Sequence, residues 1–166
     1  MPVRGKLILF GAILISCSAF GQDMREQINK EVWSVFIDGY NSFDTEKFMS
    51  VYSKNVVRVP VDEKRIFDYV EYKRNINREN QFNKNYNIKA RIELRFTQRI
   101  HNPDQAFEAG IYKISLTDNN GKPATLYSKF QVYLIREGGV WKIKYDTDST
   151  EKGTISEKEF ISAQPM

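Results

Sequence analysis

Ile88-Lys89-Ala90-Arg91-Ile92-Glu93-Leu94-Arg95-Phe96-Thr97 is the stretch that decides the fold. Apolar and polar residues alternate along it, so one face is buried and the other is wet. Three further runs of strand character follow, at about 105–117, 124–136 and 140–147. Between them stand Asn102-Pro103-Asp104, Asn119-Asn120-Gly121 and Gly138-Gly139, which carry turn chemistry. Four strands in a row joined by tight turns predict an antiparallel meander. The helix-like segments before it must bury their apolar sides against one face of that sheet.

Upstream, Gln27 to Tyr40 reads as an amphipathic helix, with Ile28, Val32, Val35, Phe36 and Tyr40 at helical spacing. Asp44 is placed to cap a short second helix, with Phe48, Val51 and Tyr52 on one side of it. Asn55 to Val59 reads as a strand that Pro60 ends, Asp62 to Arg65 as a turn, and Ile66-Phe67 as a brief returning strand. Asp68 with Glu71 suits a capping box for a third helix that reaches about Asn80, with Val70, Lys73 and Ile76 along one side. The Asn-rich stretch Asn77 to Asn87 reads as a loop, and Glu157 to Ile161 as a last helical turn.

The N-terminus has the pattern of an export signal. Arg4 and Lys6 precede a nearly unbroken apolar run from Leu7 to Ile15, and Ala19-Phe20-Gly21 offers small residues for cleavage before Gln22. Leu14-Ile15-Ser16-Cys17 also fits a lipobox, in which Cys17 would carry a lipid anchor. Cleavage after Gly21 is preferred, because the apolar run and the small-x-small site both fit it. The chain therefore divides into a signal peptide (1–21), one domain (22–148) and a polar C-terminal tail (149–166). A periplasmic or extracellular location is expected. The cleaved chain would hold no cysteine, so its core alone must stabilise it.

Composition excludes some functions. The net charge of the whole chain is +4, and without Arg4 and Lys6 the balance is 23 basic to 21 acidic residues, scattered along the chain. Neither a nucleic-acid footprint nor a membrane span is indicated. No GxSxG, HExxH, CxxC, Walker or GxGxxG pattern occurs. No metal site and no cofactor is expected.

The order of elements resembles the nuclear transport factor 2-like superfamily, the cystatin-like cone of ketosteroid isomerases and polyketide cyclases. The resemblance rests on Phe48-Met49-Ser50-Val51-Tyr52, Val56-Val57-Arg58-Val59-Pro60, Ala109-Gly110-Ile111-Tyr112 and Gly139-Val140-Trp141-Lys142-Ile143. It covers about residues 25–148 and looks most like a secreted bacterial branch. It implies an α+β fold: a strongly bent, mixed and mostly antiparallel sheet of about six strands wrapped around three N-terminal helices. It also implies a pocket inside the cone and homodimers through the outer sheet face. The steroid isomerases carry a carboxylate just before the proline that ends the first strand. Val59 stands there in this chain.

Strand parity nominates the pocket residues. If Ile92, Leu94 and Phe96 face the core, so does Gln98; Leu126, Phe130 and Val132 bring in Ser128; Trp141 and Ile143 bring in Tyr145. Ile114 and Leu116 bring in Tyr112 and Glu108, unless a bulge at Gly110 swaps the parity. Tyr52 completes the set. Glu108 is the acid–base candidate, since a dry cone would raise its pKa. His101 reads as a turn residue, and Asp146 and Asp148 as solvated or in contact with the tail. Tyr127, Lys129, Gln131 and Tyr133 form an outer face suited to dimerisation.

Three functions remain open. The first is a small-molecule binder with an apolar pocket and no assigned reaction. The second is a cofactor-free isomerase, dehydratase or cyclase that uses Glu108. The third is a dimerisation scaffold whose cone is plugged by Trp33, Phe48 or Phe96.

Overall fold

The computed structural model describes residues 23–166. The expected signal peptide, with its expected cleavage site and Cys17, lies outside the described residues. Helix α1 covers 23–41, with a wide π-helical turn at Asn29–Trp33 and regular α-helix from Ser34 to Asn41. Asp44 caps α2 (Thr45–Met49) by accepting a hydrogen bond from the Lys47 N–H. Strand β1 (Tyr52–Pro60) follows directly. Asp68 then caps α3 (Tyr69–Asn85) through the Glu71 N–H. The meander comprises β2 (Lys89–His101), β3 (Gln105–Thr117), β4 (Pro123–Glu137) and β5 (Val140–Ser149). A short α4 (Glu157–Ser162) and a two-residue β6 (Gln164–Pro165) close the chain.

These strands form one six-stranded sheet in the order β1-β5-β4-β3-β2-β6. β1 runs parallel to β5 and every other pair is antiparallel. The three N-terminal helices pack on the inner face. The core there joins Ile28, Val32 and Trp33 of α1 and Phe48 and Met49 of α2 to Ile92, Phe96, Phe130, Leu134, Trp141 and Ile143 of the sheet. Trp141, Ile143 and Leu134 are fully buried. Burial of one such side chain stabilises the fold by roughly 1.5–3 kcal/mol. The expected α+β cone is therefore the fold observed.

Local readings differ in three places. Tyr52 opens β1 rather than lying on α2. Asn77 to Asn85 is helix, not loop, because Asn80 and Asn83 turn inward and Asn80 Nδ2 donates to Thr45 Oγ1 at 3.0 Å. Val70 is exposed, and Tyr72 lies on the inner side of α3 instead.

Two β-bulges shape the sheet. In the β2–β3 ladder Phe96 pairs with Gly110 but Gln98 pairs with Ala109, so Thr97 is an extra residue in β2. In the β4–β5 ladder Leu134 pairs with Ile143 but Tyr133 pairs with Tyr145, so Lys144 is an extra residue in β5. Each bulge reverses the in–out alternation beyond it. Gly110 lies beside the first bulge, where an added Cβ would sit 2.0 Å from the Arg95 carbonyl and 2.8 Å from the Phe130 ring. Only glycine fits that approach of strand and ring.

Residues after Ser149 return across the outer face of the sheet. Ile155 and Phe160 pack on Ile111 and Tyr127 there. Glu157 holds Lys113 at 2.9 Å and accepts from Tyr127, while Lys129 pairs with Glu151 at 2.8 Å. Arg95 donates to the carbonyls of Ile161 and Ala163. Tyr127 and Lys129, two of the four residues expected at a dimer face, are therefore engaged by the chain's own C-terminal segment. Among the described residues, no helix is long and apolar enough to cross a membrane.

Candidate functional site

A cavity of about 520 Å³ lies between the inner face of the sheet and the helices. Its wall joins aromatic rings, Trp33 and Phe36 from α1, Phe48 from α2, Tyr52 from β1, Tyr72 from α3 and Phe130 from β4, to aliphatic side chains of the sheet such as Ile92, Leu94 and Ile143. The exposed lining residues Asp62, Glu63 and Arg65, with Arg78 and Glu79 of α3, mark its mouth.

One cluster of charge interrupts this wall. Arg58 of β1 lies 2.7 Å through Nη2 from Asp148 Oδ2 and 3.6 Å through Nη1 from Asp146 Oδ1. Tyr52 donates to Asp146 Oδ2 at 2.9 Å, and Tyr112 donates to Asp148 Oδ2 at 2.7 Å. Tyr72 stands 3.4 Å from the Tyr52 hydroxyl, with the Arg58 guanidinium 5.5 Å from its ring centre. Arg58 Nε and Nη1 are buried without a hydrogen-bond partner. Unpaired buried donors are uncommon in folded proteins, because the lost hydration is not replaced.

The two aspartates differ in environment. Burial raises the pKa of Asp146, the nearby charge of Asp148 adds to the rise, and Arg58 and the Tyr52 hydrogen bond only partly oppose it. Asp148 keeps the short contact to Arg58. Burial thus disfavours the charged form of Asp146. Burial also pushes Tyr52, Tyr72 and Tyr112 above the ordinary phenol range, so all three stay neutral donors.

A second polar cluster lies behind the cavity wall. Glu108 is fully buried and lines no part of the cavity. It accepts from Trp33 Nε1 at 2.5 Å and Arg99 Nε at 2.8 Å, and His101 Nε2 lies 2.7 Å from it. Arg99 also donates to Asn29 Oδ1 at 2.6 Å. Asn29 and Trp33 are the ends of the π-helical turn, so that widened turn aims both side chains at the cluster. Burial alone would raise the Glu108 pKa. The His101 hydrogen bond, the charge and hydrogen bond of Arg99, and the Trp33 hydrogen bond outweigh it and hold the carboxyl below its usual range. The expected rise is thus reversed, and Glu108 is an ionised strut between α1 and the sheet.

The other nominated residues divide. Tyr52, Tyr112 and Ser128 line the cavity. Gln98 is exposed, because the bulge at Thr97 turns it outward. Tyr145 is 39% exposed, because the bulge at Lys144 does the same. The same two bulges turn Arg99 and His101, and Asp146 and Asp148, inward. His101 is accordingly no turn residue, and the two aspartates are not solvated. Parity read through the strands missed these groups together with Arg58: Gly110 signals the first bulge, but the extra residue is Thr97 on the paired strand, and no residue near Lys144 announces the second.

No protein-family model matches the chain, and no curated protein matches it. Solved structures do. The structure of Aln2 from a Streptomyces species aligns with a TM-score of 0.67 at 8% identity, covering 78% of this chain and 92% of that one. An NTF-2-like protein of unknown function from Shewanella oneidensis aligns at 0.58 with 14% identity, covering 76% and 98%. The association domain of C. elegans CaMKII aligns at 0.57 with 16% identity, covering 80% and 96%. The chain has the nuclear transport factor 2-like, cystatin-like cone fold. At these identities the likeness is one of architecture, and the site must speak for the chemistry.

Proposed function

We propose that the chain is an exported domain that binds a small, largely apolar molecule inside its cone. The ligand's body lies against Trp33, Phe36, Phe48 and Tyr72, and one acceptor oxygen meets the cluster of Arg58, Asp146 and Asp148. The observation that carries this reading is the pair of buried Arg58 donors without a hydrogen bond, beside a cavity walled largely by aromatic and aliphatic side chains. Few polar groups in an apolar concavity are what orient a small ligand. Export is supported by Arg4, Lys6 and the apolar run that follows them; an anchor at Cys17 is the alternative address. Self-association through the outer sheet face accompanies the binding role.

The test uses N-phenyl-1-naphthylamine, a neutral aromatic probe whose fluorescence rises in apolar sites. The folded protein should bind it saturably, and Ser128→Phe, which fills the cavity from β4, should weaken binding at least tenfold. Equal binding by both proteins would defeat the cavity reading.

The raised pKa of Asp146 supports a second reading, a cofactor-free acid–base enzyme. Asp146 then takes the role expected of Glu108, with Tyr52 beside it as donor to a developing oxyanion.

A further inference from the structure

Two walls of the cavity continue beyond its mouth as apolar surface. On α3, Asn75 and Glu79 line the cavity. Asn75, Glu79, Phe82 and Tyr86 follow one another at helical spacing (i, i+4, i+7, i+11), so Phe82 and Tyr86 extend the lining side of the helix past the mouth. Their rings pack on each other with centres 4.5 Å apart, yet they are 54% and 55% exposed. On the sheet, Ile114 of β3 pairs with Leu126 of β4, and both line the cavity. Two residues further out on the same inner face stand Ala90, Leu116 and Ala124, paired across β2, β3 and β4. Leu116 is half-buried, Ala124 is exposed and Leu126 is 42% exposed. The end of α3 is tied to the start of β2 by the Ile88 N–H, which donates to the Asn83 carbonyl at 2.9 Å. The aromatic pair and the Ala90 row therefore lie at the same open end of the cone.

We propose that these two walls form an outer subsite for an unbranched apolar chain, and that the ligand of the cavity is a long-chain amphiphile whose chain leaves through the mouth. The proposal rests on the ligand-binding reading above and names the class of molecule. Continuity carries it: the same helix side and the same sheet face that line the cavity run on into the exposed residues, so a chain follows them without leaving apolar surface. Length sets the class. Tyr112, which donates to Asp148, lies on the same face of β3 as Leu116. At about 3.4 Å per residue the charged cluster and the outer row are about 14 Å apart, the reach of roughly eleven methylenes. Area speaks against a protein in this place. Two rings of roughly 150–250 Å² each, about half exposed, with three aliphatic side chains fall well short of the roughly 800 Å² per partner that a stable protein interface buries.

Displacement of N-phenyl-1-naphthylamine by 1-dodecanol and by 1-hexanol provides the test. Both alcohols carry the hydroxyl, and only dodecanol is long enough to reach the outer subsite. Phe82→Glu and Ala124→Glu each place a charge there, at exposed positions that line no part of the cavity. One methylene kept from water is worth about fourfold in affinity, so loss of two or more should weaken dodecanol binding at least about tenfold in each variant. Hexanol and the probe should bind both variants as they bind the wild type. Gln81→Glu, a charge on the outward side of α3, should change none of the three. A wild type that does not take up the probe would overturn the cavity reading and this one with it. Intact probe binding with dodecanol indifferent to both variants would overturn the subsite alone. Equal losses for dodecanol, hexanol and the probe would also overturn it, since the variants would then be acting on the cavity itself.

Discussion

Glu108 and Asp146 are both buried carboxylates on one sheet, and their partners send them opposite ways. Glu108 receives three donors and is held ionised. Asp146 receives one hydroxyl and shares a single guanidinium with Asp148, and burial prevails. The linkage signs follow. A carboxyl lowered on folding contributes stability above its unfolded pKa, lost as pH falls through the folded value. A carboxyl raised on folding contributes stability at low pH, lost as pH rises through its folded value. Glu108→Gln removes the first contribution and leaves Arg99 buried beside a neutral amide. Its expected cost is about 3–5 kcal/mol near neutral pH, the range for breaking a buried ion pair from one side. In urea melts taken from pH 3 to 7, the difference from wild type should shrink on the acid side. A constant difference across that range would mean that Glu108 carries no charge in the folded protein.

At the scale of elements, the alternation of β2 to β5 and the caps at Asp44 and Asp68 were legible because each depends on local spacing. Ile92, Phe130 and Ile143 lie inside as their parity required. The cluster of Arg58, Asp146 and Asp148 was not legible. Its inward turn depends on one extra residue, Lys144, whose effect appears only when β5 is laid against β4. Ser128 and Tyr112, on the ladder with unbroken register, were placed correctly on the cavity side; Gln98 and Tyr145, each beyond a bulge, were not. Deleting Lys144 should therefore leave Tyr145 opposite Tyr133 and Asp146 opposite Val132, so that Asp146 and Asp148 stay inward in a regular ladder. Carboxyl NMR titration should then still find Asp146 above the ordinary aspartate range. An ordinary value in the deletion variant would show that the bulge itself, and not the pairing beyond it, holds the site.

For the whole molecule, residues 150–166 join two regions that the sheet separates. Their start is tied at the cavity mouth, where Asp62 accepts from the Thr150 N–H and hydroxyl and from Ser149. Their end covers Ile111 on the outer face and adds β6 to the edge at Arg95 and Phe96. Truncation after Thr154 would keep the Asp62 tie and remove Ile155, Phe160 and β6. Each of the two apolar side chains contributes roughly 1.5–3 kcal/mol by burial. Together they supply about 3–6 kcal/mol, so the loss should lower the melting temperature by at least about 6 °C, since about 1 kcal/mol corresponds to roughly 2–8 °C for domains of this size range. Binding of the neutral aromatic probe should persist at temperatures below the new transition, because no wall of the cavity has been removed. Both quantities can be read from one sample by thermal melting with and without probe. A truncated chain that stays folded yet no longer binds would show that the outer segment holds the inner cavity in shape, and that the sheet transmits this across its thickness.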